Sequence, residues 1–427
     1  MGKLRWNILG IRGNPLATRP GMVKIQEKNV MLRKCWKTLL IGILFTLTLL
    51  IAGCWDRKEI ENRGYVLGVG IDHVVSSGPK GLYDLDKTPQ AAGQRKYKLT
   101  IEMPKFNKQE ASKEVNKGQN HLIWSGEGES MFAITRMIST KTYFSPFFED
   151  IQILVFSEAV AREGVGDILD FFLRDAEMRR LTRVFVTPGR AEDILKAKLQ
   201  VEEVNSTFIG KLTANTDKAP YFAGKAELGQ IAQALRSNHS FIVPIIVTED
   251  KEVRLLKGAI FNKDHKMVGE MNELEILGGK ILRQTLKQGI VVAPNPADPQ
   301  HTVAFEIYEK KMNIDTSVQD DQILFTVKVI LIGNLGENMV HEQDAVDPVF
   351  TKAVEKEIAA EVTRSIKAAF SKQQQLKADV TELGDLVHRQ HPDYWKNVQD
   401  RWDEEVFPMA QLNVDVKIQI RRPVITH

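Results

Sequence analysis

The sequence predicts a mixed α/β (α+β) fold, organised as three α/β domains that follow an N-terminal secretion signal. The chain has 427 residues, and at about 100–200 residues per domain this length accommodates roughly two to four domains. Hydrophobic residues make up 43% and charged residues 26% of the chain, a balance typical of proteins with a substantial core. Segments with strand periodicity and helix periodicity also alternate along the chain, which is typical of α/β proteins.

The positive charge of the whole chain comes from its N-terminal segment. The formal charge is +3, but residues 1–53 contain nine basic residues and one acidic residue. The part from Cys54 onward has 49 basic and 54 acidic residues, which is a net charge of −5. This mildly acidic part gives no reason to expect a nucleic-acid partner. Its single cysteine also excludes an internal disulfide.

Residues 31–53 have the order of a bacterial lipoprotein signal peptide. A basic stretch at 31–37 precedes an uncharged apolar run at 38–53, which is shorter than the roughly 20 residues of a membrane-spanning helix. The run ends in Ile51-Ala52-Gly53-Cys54, which resembles the lipobox. We therefore predict lipidation of the Cys54 thiol and cleavage before Cys54, which becomes the first residue of the mature chain.

Residues 1–30 precede this signal and are basic without strong periodicity. We interpret them as an N-terminal extension from a start-site artefact, with translation beginning at Met31 or Met22. The apolar run has one alternative interpretation, a transmembrane anchor with an incidental cysteine. N-myristoylation at Gly2 is excluded because Trp6 stands where serine or threonine is required.

The first predicted domain covers residues 54–215. An apolar run at 65–72 predicts a buried strand, and the alternation at 97–103 predicts a strand with one solvent-exposed face. Ser130 is placed to cap a helix, and a second helix is predicted over 158–174. Further strands are predicted over 121–125, 150–156 and 183–187, with a short helix over 191–199.

The second predicted domain covers residues 216–318. Two apolar runs, 241–247 and 255–261, predict strands, and the turn at 262–265 predicts a hairpin. A helix is predicted over 273–286, although Gly278-Gly279 weakens this prediction because glycine is a poor helix former.

The third predicted domain covers residues 319–427. Its long helix, 347–376, has apolar residues at every fourth position and is expected to pack obliquely on a sheet. Asp379 and Glu382 have the spacing of a capping box, which predicts another helix over 380–389. The alternating segment 412–420 is expected to complete the sheet that begins near residue 323. The apolar positions of the long helix are Val354, Ile358, Val362, Ile366 and Phe370.

Catalytic, cofactor and metal motifs are not recognised in this sequence. Gly68-Val-Gly70 starts a glycine-rich fingerprint, but His73 stands where the third glycine is required and no helix pattern follows. His388 and His391 have a spacing that suits a metal, but no third ligand accompanies them at a recognised spacing. We therefore predict no catalytic residue, no cofactor and no metal.

Four blocks of residues, in order along the chain, carry a resemblance to one family. They are GCWDR at 53–57 with VLGVGID at 66–72; AREG at 161–164 with DILDFFLRD at 167–175 and LT at 181–182; KGAIF at 257–261; and ADV at 378–380 with His388-Arg389, His391-Pro392, Trp395, Trp402-Asp403 and VDVKIQIRR at 414–422. Together they resemble the C-subunit lipoproteins of bacterial spore germinant receptors, the Ger(x)C family. The resemblance covers essentially all of the predicted mature chain.

The resemblance implies a subunit of a nutrient receptor in the spore inner membrane that starts germination. It implies two polytopic partners, the A- and B-type subunits, and a peripheral lipoprotein of three α/β domains on the outer face of that membrane. It implies no catalytic residue for this chain. The one functional residue that it implies is the lipidated cysteine, Cys54.

Two alternatives remain. A solute-binding lipoprotein would deliver a small ligand to a transporter, but such proteins usually have two similar lobes. A cell-envelope hydrolase would require a pocket with convergent ionisable groups.

Overall fold

The computed structural model describes residues 36–44, 63–74, 96–105, 121–142, 144–174, 178–199, 204–214, 219–320, 322–338 and 347–422. These residues fall into two units. Helix α1, residues 36–44, belongs to the unit Met1–Glu61. The other described elements belong to the unit Asn62–His427.

An eight-stranded mixed sheet forms the N-terminal region of the larger unit. Its strand order is β10-β9-β8-β7-β6-β2-β3-β4, and the pairs β2–β6, β6–β7 and β7–β8 are parallel. A separate pair of short parallel strands, β1 and β5, stands outside this sheet. The strands are β1 (Arg63–Tyr65), β2 (Gly68–His73), β3 (Tyr97–Pro104), β4 (His121–Gly128), β5 (Ser145–Phe147), β6 (Ile153–Ser157), β7 (Arg183–Thr187), β8 (Phe241–Glu249), β9 (Glu252–Phe261) and β10 (Met267–Met271).

Helices cover both faces of this sheet. Ile134, Ile168 and Phe172 belong to a large apolar cluster, whereas Ile194 and Ile209 belong to a smaller one. Because the two clusters use different residues of the central strands, those strands are buried on both sides, as in α/β proteins. The helices are α2 (Met131–Lys141), α3 (Glu158–Glu163), α4 (Gly166–Arg174), α5 (Ala191–Lys196), α6 (Asn205–Leu212) and α7 (Leu228–Ser237).

The prediction that β3 has one solvent-exposed face is wrong. The strand itself forms as expected, but Thr100 and Glu102 are both fully buried. The amide and hydroxyl of Ser206, at the start of α6, both donate to Glu102. The polar alternation of β3 therefore faces a helix layer that sequence periodicity does not report.

Two predicted elements of the N-terminal region are divided. The strand predicted over 65–72 becomes β1 and β2, which pair in different sheets. The helix predicted over 158–174 becomes α3 and α4, because Gly164 between them has φ +128°. Only glycine adopts this backbone region readily, so Gly164 marks the break.

The C-terminal region contains a four-stranded sheet of order β11-β12-β13-β14. β11, β12 and β13 are antiparallel neighbours, whereas β14 is parallel to β13. The prediction that 412–420 completes the sheet begun near residue 323 is confirmed, since Leu412 pairs with Phe325. The strands are β11 (Gly289–Pro294), β12 (Thr302–Gln319), β13 (Gln322–Asn338) and β14 (Gln411–Arg422).

The long predicted helix of the C-terminal region is confirmed, and its apolar stripe is buried in the core. It crosses the preceding helix at Gly278, where a Cβ atom would overlap the carbonyl oxygen of Ser365. Gly278 is therefore required for a close helix crossing rather than being a weak point of its helix. The helices are α8 (Glu273–Leu282), α9 (Pro348–Leu376), α10 (Leu383–Gln390), α11 (Pro392–Val398) and α12 (Phe407–Met409).

The capping box predicted at Asp379 and Glu382 does not form. Helix α10 begins at Leu383, and Glu382 adopts the left-handed conformation with φ 61°. The Glu382 carboxylate pairs with Arg283 instead. Asp379 does accept hydrogen bonds from the amides of Leu383 and Gly384, but the N-cap position of α10 is occupied by Glu382, three residues after Asp379.

The three-domain division stays a prediction. The eight-stranded sheet continues across residue 215, since β7 pairs with β8 through Val186 and Ile245. The second predicted boundary, after residue 318, coincides with the end of β12 at Gln319.

Candidate functional site

The predicted lipidation site lies outside the described residues. This applies to Cys54 and to the lipobox residues Ile51, Ala52 and Gly53. Part of the predicted signal is described as α1, whose large apolar side chains, such as Trp36 and Leu44, are 53–70% exposed. Among the described residues, no helix is long and apolar enough to cross a membrane.

The two histidines considered as metal ligands do not converge. The His388 ring stacks on Trp395 with ring centroids 5.8 Å apart. His391 Nε2 instead lies 3.0 Å from the carbonyl oxygen of Thr316. Among the residues that the structure covers, no group of three or more His, Cys, Asp or Glu side chains has an arrangement for a metal.

The glycines of the incomplete fingerprint serve close packing. A Cβ atom at Gly68 would overlap the Ser206 hydroxyl, and one at Gly70 would lie 3.1 Å from the Ala191 backbone. Both glycines lie in β2, under the starts of α5 and α6. They therefore let two helices approach the sheet, and the chain after them continues as a strand rather than as a phosphate-binding helix.

Several residues of the fourth family-like block lie around the buried side chain of Asp379. Asp379 Oδ1 accepts hydrogen bonds from the Leu383 amide at 3.0 Å and from the Thr381 hydroxyl at 3.3 Å. Its Oδ2 accepts from the Gly384 amide at 2.7 Å and from Trp402 Nε1 at 3.1 Å. The four donors fix the turn before α10 against the indole of Trp402. The sequence blocks indicated these residues but not this arrangement.

Aromatic rings continue from this aspartate into the core. Trp402 contacts Trp395 edge to face at 5.3 Å and stacks on Phe407 at 5.7 Å. Phe407 in turn contacts Phe370 of α9 at 5.4 Å. Aromatic pairs of this kind contribute about 0.5–1.5 kcal/mol beyond burial alone. The hydrogen bond from Trp402 therefore ties Asp379 to the packing of the whole C-terminal region.

Two carboxyl groups here have raised pKa values. Burial raises the pKa of Asp379, although its four donors oppose the rise. The pKa of Asp403 is raised to about 6, chiefly by burial and then by repulsion from Asp379. Asp403 also accepts a hydrogen bond from the Asp379 amide at 3.3 Å.

A cavity of about 330 Å³ opens beside this cluster, and we call it the acidic pocket. His239 lies 3.4 Å from Asp385 across it. The hydroxyl of Ser240, which also contributes to the lining, has no hydrogen-bond partner among the described residues. Ser240 is therefore not activated by a histidine as a catalytic nucleophile would be. The carboxyl groups in the lining belong to Asp379, Glu382, Asp385, Asp400 and Asp403.

A second cavity of about 330 Å³, which we call the basic pocket, has the opposite charge. Its basic side chains are Lys225, Lys280, Arg283 and Lys287, and its acidic side chain is Glu227. Arg283 of this pocket pairs with Glu382 of the acidic pocket.

A third polar centre, which sequence reasoning missed, lies in the N-terminal sheet. Glu102 of β3 is fully buried, and burial raises its pKa to about 7 despite the Ser206 donors. Its Oε1 lies 3.3 Å from His121 Nδ1 without the geometry of a hydrogen bond. Burial lowers the pKa of His121. The histidine contacts the carboxylate rather than the serine, which is not the order of a Ser-His-acid triad.

Comparisons with known proteins agree with the four blocks. Residues 56–248 match the family described as "Spore germination protein N-terminal domain", and residues 257–424 match "Spore germination B3/ GerAC like, C-terminal". Spore germination protein A3 of Bacillus subtilis (strain 168) is 26% identical over 382 residues, covering 88% of this chain and 96% of the relative. Spore germination protein KC of the same organism is 22% identical over 415 residues, covering 92% and 96%.

A solved structure has the same fold. The crystal structure of the GerBC protein matches with a TM-score of 0.53 at 19% sequence identity, covering 77% of this chain and 94% of that chain. The mixed α+β prediction is confirmed by this match and by the two sheets with their helices. Since the family matches extend over 56–248 and 257–424, the chain belongs to the Ger(x)C family of spore germination proteins.

Proposed function

We propose that this chain is the lipoprotein subunit of a nutrient germinant receptor, acting without catalysis of its own. The observation that carries this proposal is the family match over 56–248 and 257–424. The match begins at residue 56, just after Cys54. This position supports Cys54 as the first residue of the mature chain.

In this proposal, lipid on Cys54 holds the protein on the outer face of the spore inner membrane. A single acyl chain gives only marginal binding, but several chains, at about 0.8 kcal/mol per buried CH₂, give a stable anchor. Confinement to the membrane surface raises the effective concentration of the protein for membrane partners. Those partners are the polytopic A- and B-type subunits, which the lipoprotein binds or stabilises.

The buried polar groups support a role without catalysis. Both oxygens of Asp379 are used by donors that fix its own turn. The Ser206 hydroxyl donates directly to Glu102 and so is not paired with a histidine base. These groups are therefore engaged in packing contacts.

A pair of cysteine substitutions tests the anchor. Cys54→Ala should leave the protein without lipid, shift it from the spore membrane fraction to the soluble fraction, and slow germination on one class of nutrient. Cys35→Ala, within the predicted signal, is the matched control and should leave all three measurements unchanged. Mass spectrometry of the purified protein detects the lipid on Cys54 directly. An unmodified Cys54 in a fully active, membrane-bound protein would contradict the proposal.

Purification from spore membranes tests the partners. An affinity-tagged protein should bring down the polytopic subunits after mild crosslinking, and fewer of them when Cys54 is replaced. Recovery of a transporter instead, together with micromolar binding of an amino acid or sugar, would favour the solute-binding alternative.

A further inference from the structure

The last strand of the C-terminal sheet is open along one side. β14 spans the 12 residues Gln411–Arg422 and pairs with β13 on its other side. Among the described residues, one backbone group on the open side has a hydrogen-bond partner, since the Ile420 amide donates to Glu355 Oε1 at 2.9 Å. An open edge of this length presents a row of backbone donors and acceptors to another strand.

The other free edges of the same sheet are covered by side chains. On β11, the Val292 amide donates to the Tyr221 hydroxyl at 3.3 Å. On the part of β12 that extends beyond β11, the Thr316 amide donates to Gln390 Oε1 at 2.8 Å, and Gln390 Nε2 donates in return to the Ile314 carbonyl at 3.2 Å. The chain therefore protects these two edges itself, whereas most of β14 stays open.

The even-numbered residues of β14 point their backbone groups to the open side. The outward amide of Ile420 shows this, because alternate residues of a strand direct their backbone groups to the same side. Their apolar side chains are half-buried against the core of the C-terminal region. A partner strand would therefore bond to these residues and extend the apolar face. They include Leu412, Val414, Val416 and Ile420.

The odd-numbered residues of β14 form an exposed polar row whose order is self-complementary. Asp415 and Lys417 flank Val416, and Asn413 and Gln419 lie one step further out. Neither Asp415 nor Lys417 has an ion-pair partner among the described residues. In an antiparallel pair of two β14 strands centred on Val416, each Asp415 would face Lys417 of the other copy. Each Asn413 would likewise face Gln419.

Other registers of such a pair fit less well. A pair centred on Asp415 or on Lys417 would place two like charges directly opposite each other, which destabilises a sheet. A pair centred on Ile418 would bring Asp415 to Arg421, but Arg421 already pairs with Glu309 at 3.2 Å, and the two strands would overlap less. The centre at Val416 lies near the middle of β14 and allows almost complete overlap.

We propose that β14 is a homodimer interface, in which two copies of this chain pair their β14 strands antiparallel about Val416. The pairing joins two four-stranded sheets into one continuous sheet and has the two-fold symmetry of most homodimers. The self-complementary order of charges favours a second copy over a strand of unrelated sequence. Because the contact uses β14 alone, it does not depend on lipid at Cys54.

Sedimentation velocity of the purified full-length protein in excess detergent micelles tests the dimer. The parent should sediment as a dimer at concentrations of roughly 10–100 µM. Lys417→Asp should weaken dimerisation at least about tenfold, because it places an acid opposite each Asp415 of the symmetric pair. The double variant Asp415→Lys/Lys417→Asp is the matched control. It exchanges the two charges, keeps them complementary and should dimerise like the parent.

Two further measurements test the strand pairing itself. Val416→Pro removes the central amide from the open side, where proline is tolerated in an edge strand. It should keep a thermal transition close to that of the parent and abolish the dimer. Protein with Asp415→Cys, mixed with protein with Lys417→Cys, should form a disulfide-linked dimer on mild oxidation, because facing residues of this kind have Cα atoms about 4.5 Å apart. Each cysteine variant alone is the control for crosslinking through Cys35 and Cys54.

Three results would overturn the proposal. The first is a parent that stays monomeric over this concentration range, which includes the case in which β14 pairs with a strand of another protein. The second is a dimer that neither Lys417→Asp nor Val416→Pro weakens, because its interface would then lie elsewhere. The third is a double charge-exchange variant that dimerises no better than Lys417→Asp, because pairing about Val416 requires its recovery.

Discussion

Two buried carboxylates, one in each region of the molecule, are held in different ways. Asp379 in the C-terminal region receives four hydrogen bonds, two on each oxygen. Glu102 in the N-terminal sheet accepts hydrogen bonds on Oε2 from the amide and the hydroxyl of Ser206, while Oε1 has no hydrogen-bond donor among the described residues.

Burial raises the pKa of both carboxyl groups, so the difference between them lies in how many donors each one holds. A buried carboxylate that accepts several hydrogen bonds holds its donors in place, and its removal leaves each of those donors without an acceptor. Burial raises the pKa of Glu102 to about 7 because its hydrogen bonds from Ser206 only partly oppose the cost of burying the charge. Substitution of Asp379 should therefore act mainly through the hydrogen bonds that are lost, whereas substitution of Glu102 should act mainly through its ionisation near neutral pH.

Asp379→Ala should have the largest effect. It leaves buried donors of Leu383, Gly384 and Trp402 without their acceptor. Removing one partner from a buried charged network costs about 3–5 kcal/mol, so we expect the free energy of unfolding to fall by that amount. Urea unfolding of the full-length protein at neutral pH measures it.

The neighbouring acid is the control for Asp379. Asp403 accepts one hydrogen bond and is repelled by Asp379. Asp403→Asn should therefore change the unfolding free energy by less than about 1 kcal/mol. If both substitutions had the same small effect, Asp379 would not be the group that fixes this region.

Glu102→Gln should have an intermediate effect that depends on pH. The pKa of Glu102 rises from 4.5 to about 7 on folding, so between these values the folded state holds a proton that the unfolded state releases. Stability is therefore full below pH 4.5 and is lost as the pH rises to about 7, by about 3 kcal/mol in total. Gln does not ionise and should escape this loss.

The measurement compares the two proteins at two pH values. Urea unfolding at about pH 4.5 and about pH 8 should show the variant gaining stability relative to the parent at the higher pH. Burial lowers the pKa of His121, so its contribution to the stability of the protein is lost as the pH falls rather than as it rises. Because His121 is present in both proteins, this contribution cancels in the comparison. A constant difference between variant and parent would show that Glu102 does not titrate in this range.

Sequence periodicity predicted most elements but not how they are layered. The long helix was predictable because Val354, Ile358, Val362, Ile366 and Phe370 repeat at a spacing that only a helix turns into one face. The burial of Glu102 was not predictable, because the alternation of apolar and polar residues in β3 is the same whether water or α6 covers the polar face. What covers a strand depends on residues far away in the sequence.

The same limit applies to the candidate sites. Gly278 and Gly279 are equivalent in the sequence, yet the first contacts α9 and the second faces the basic pocket. Asp379 and Trp402 stand in one block with no local signal that they bond to each other. The pockets arise from segments that are distant in sequence, so no spacing rule could predict them.

Trp402→Phe should have a smaller effect than Asp379→Ala or Glu102→Gln, and it measures the contribution of one of the four donors to Asp379. It removes the Nε1 hydrogen bond while the Leu383, Gly384 and Thr381 donors remain. A hydrogen bond to a charged group contributes about 1.5–3 kcal/mol. We expect the lower end of that range because three other donors still hold the carboxylate.

Trp395→Phe is the matched control for that measurement. Trp395 contacts the Trp402 ring at 5.3 Å, so its replacement removes comparable aromatic packing without touching an Asp379 bond. The difference between the two variants, by urea unfolding, should be about 1–2 kcal/mol in favour of the control. If the two variants were equally stable, the indole donor would add nothing to Asp379. Asp379 would then be held only by the Thr381 hydroxyl and the two backbone amides, and it would differ less from Glu102.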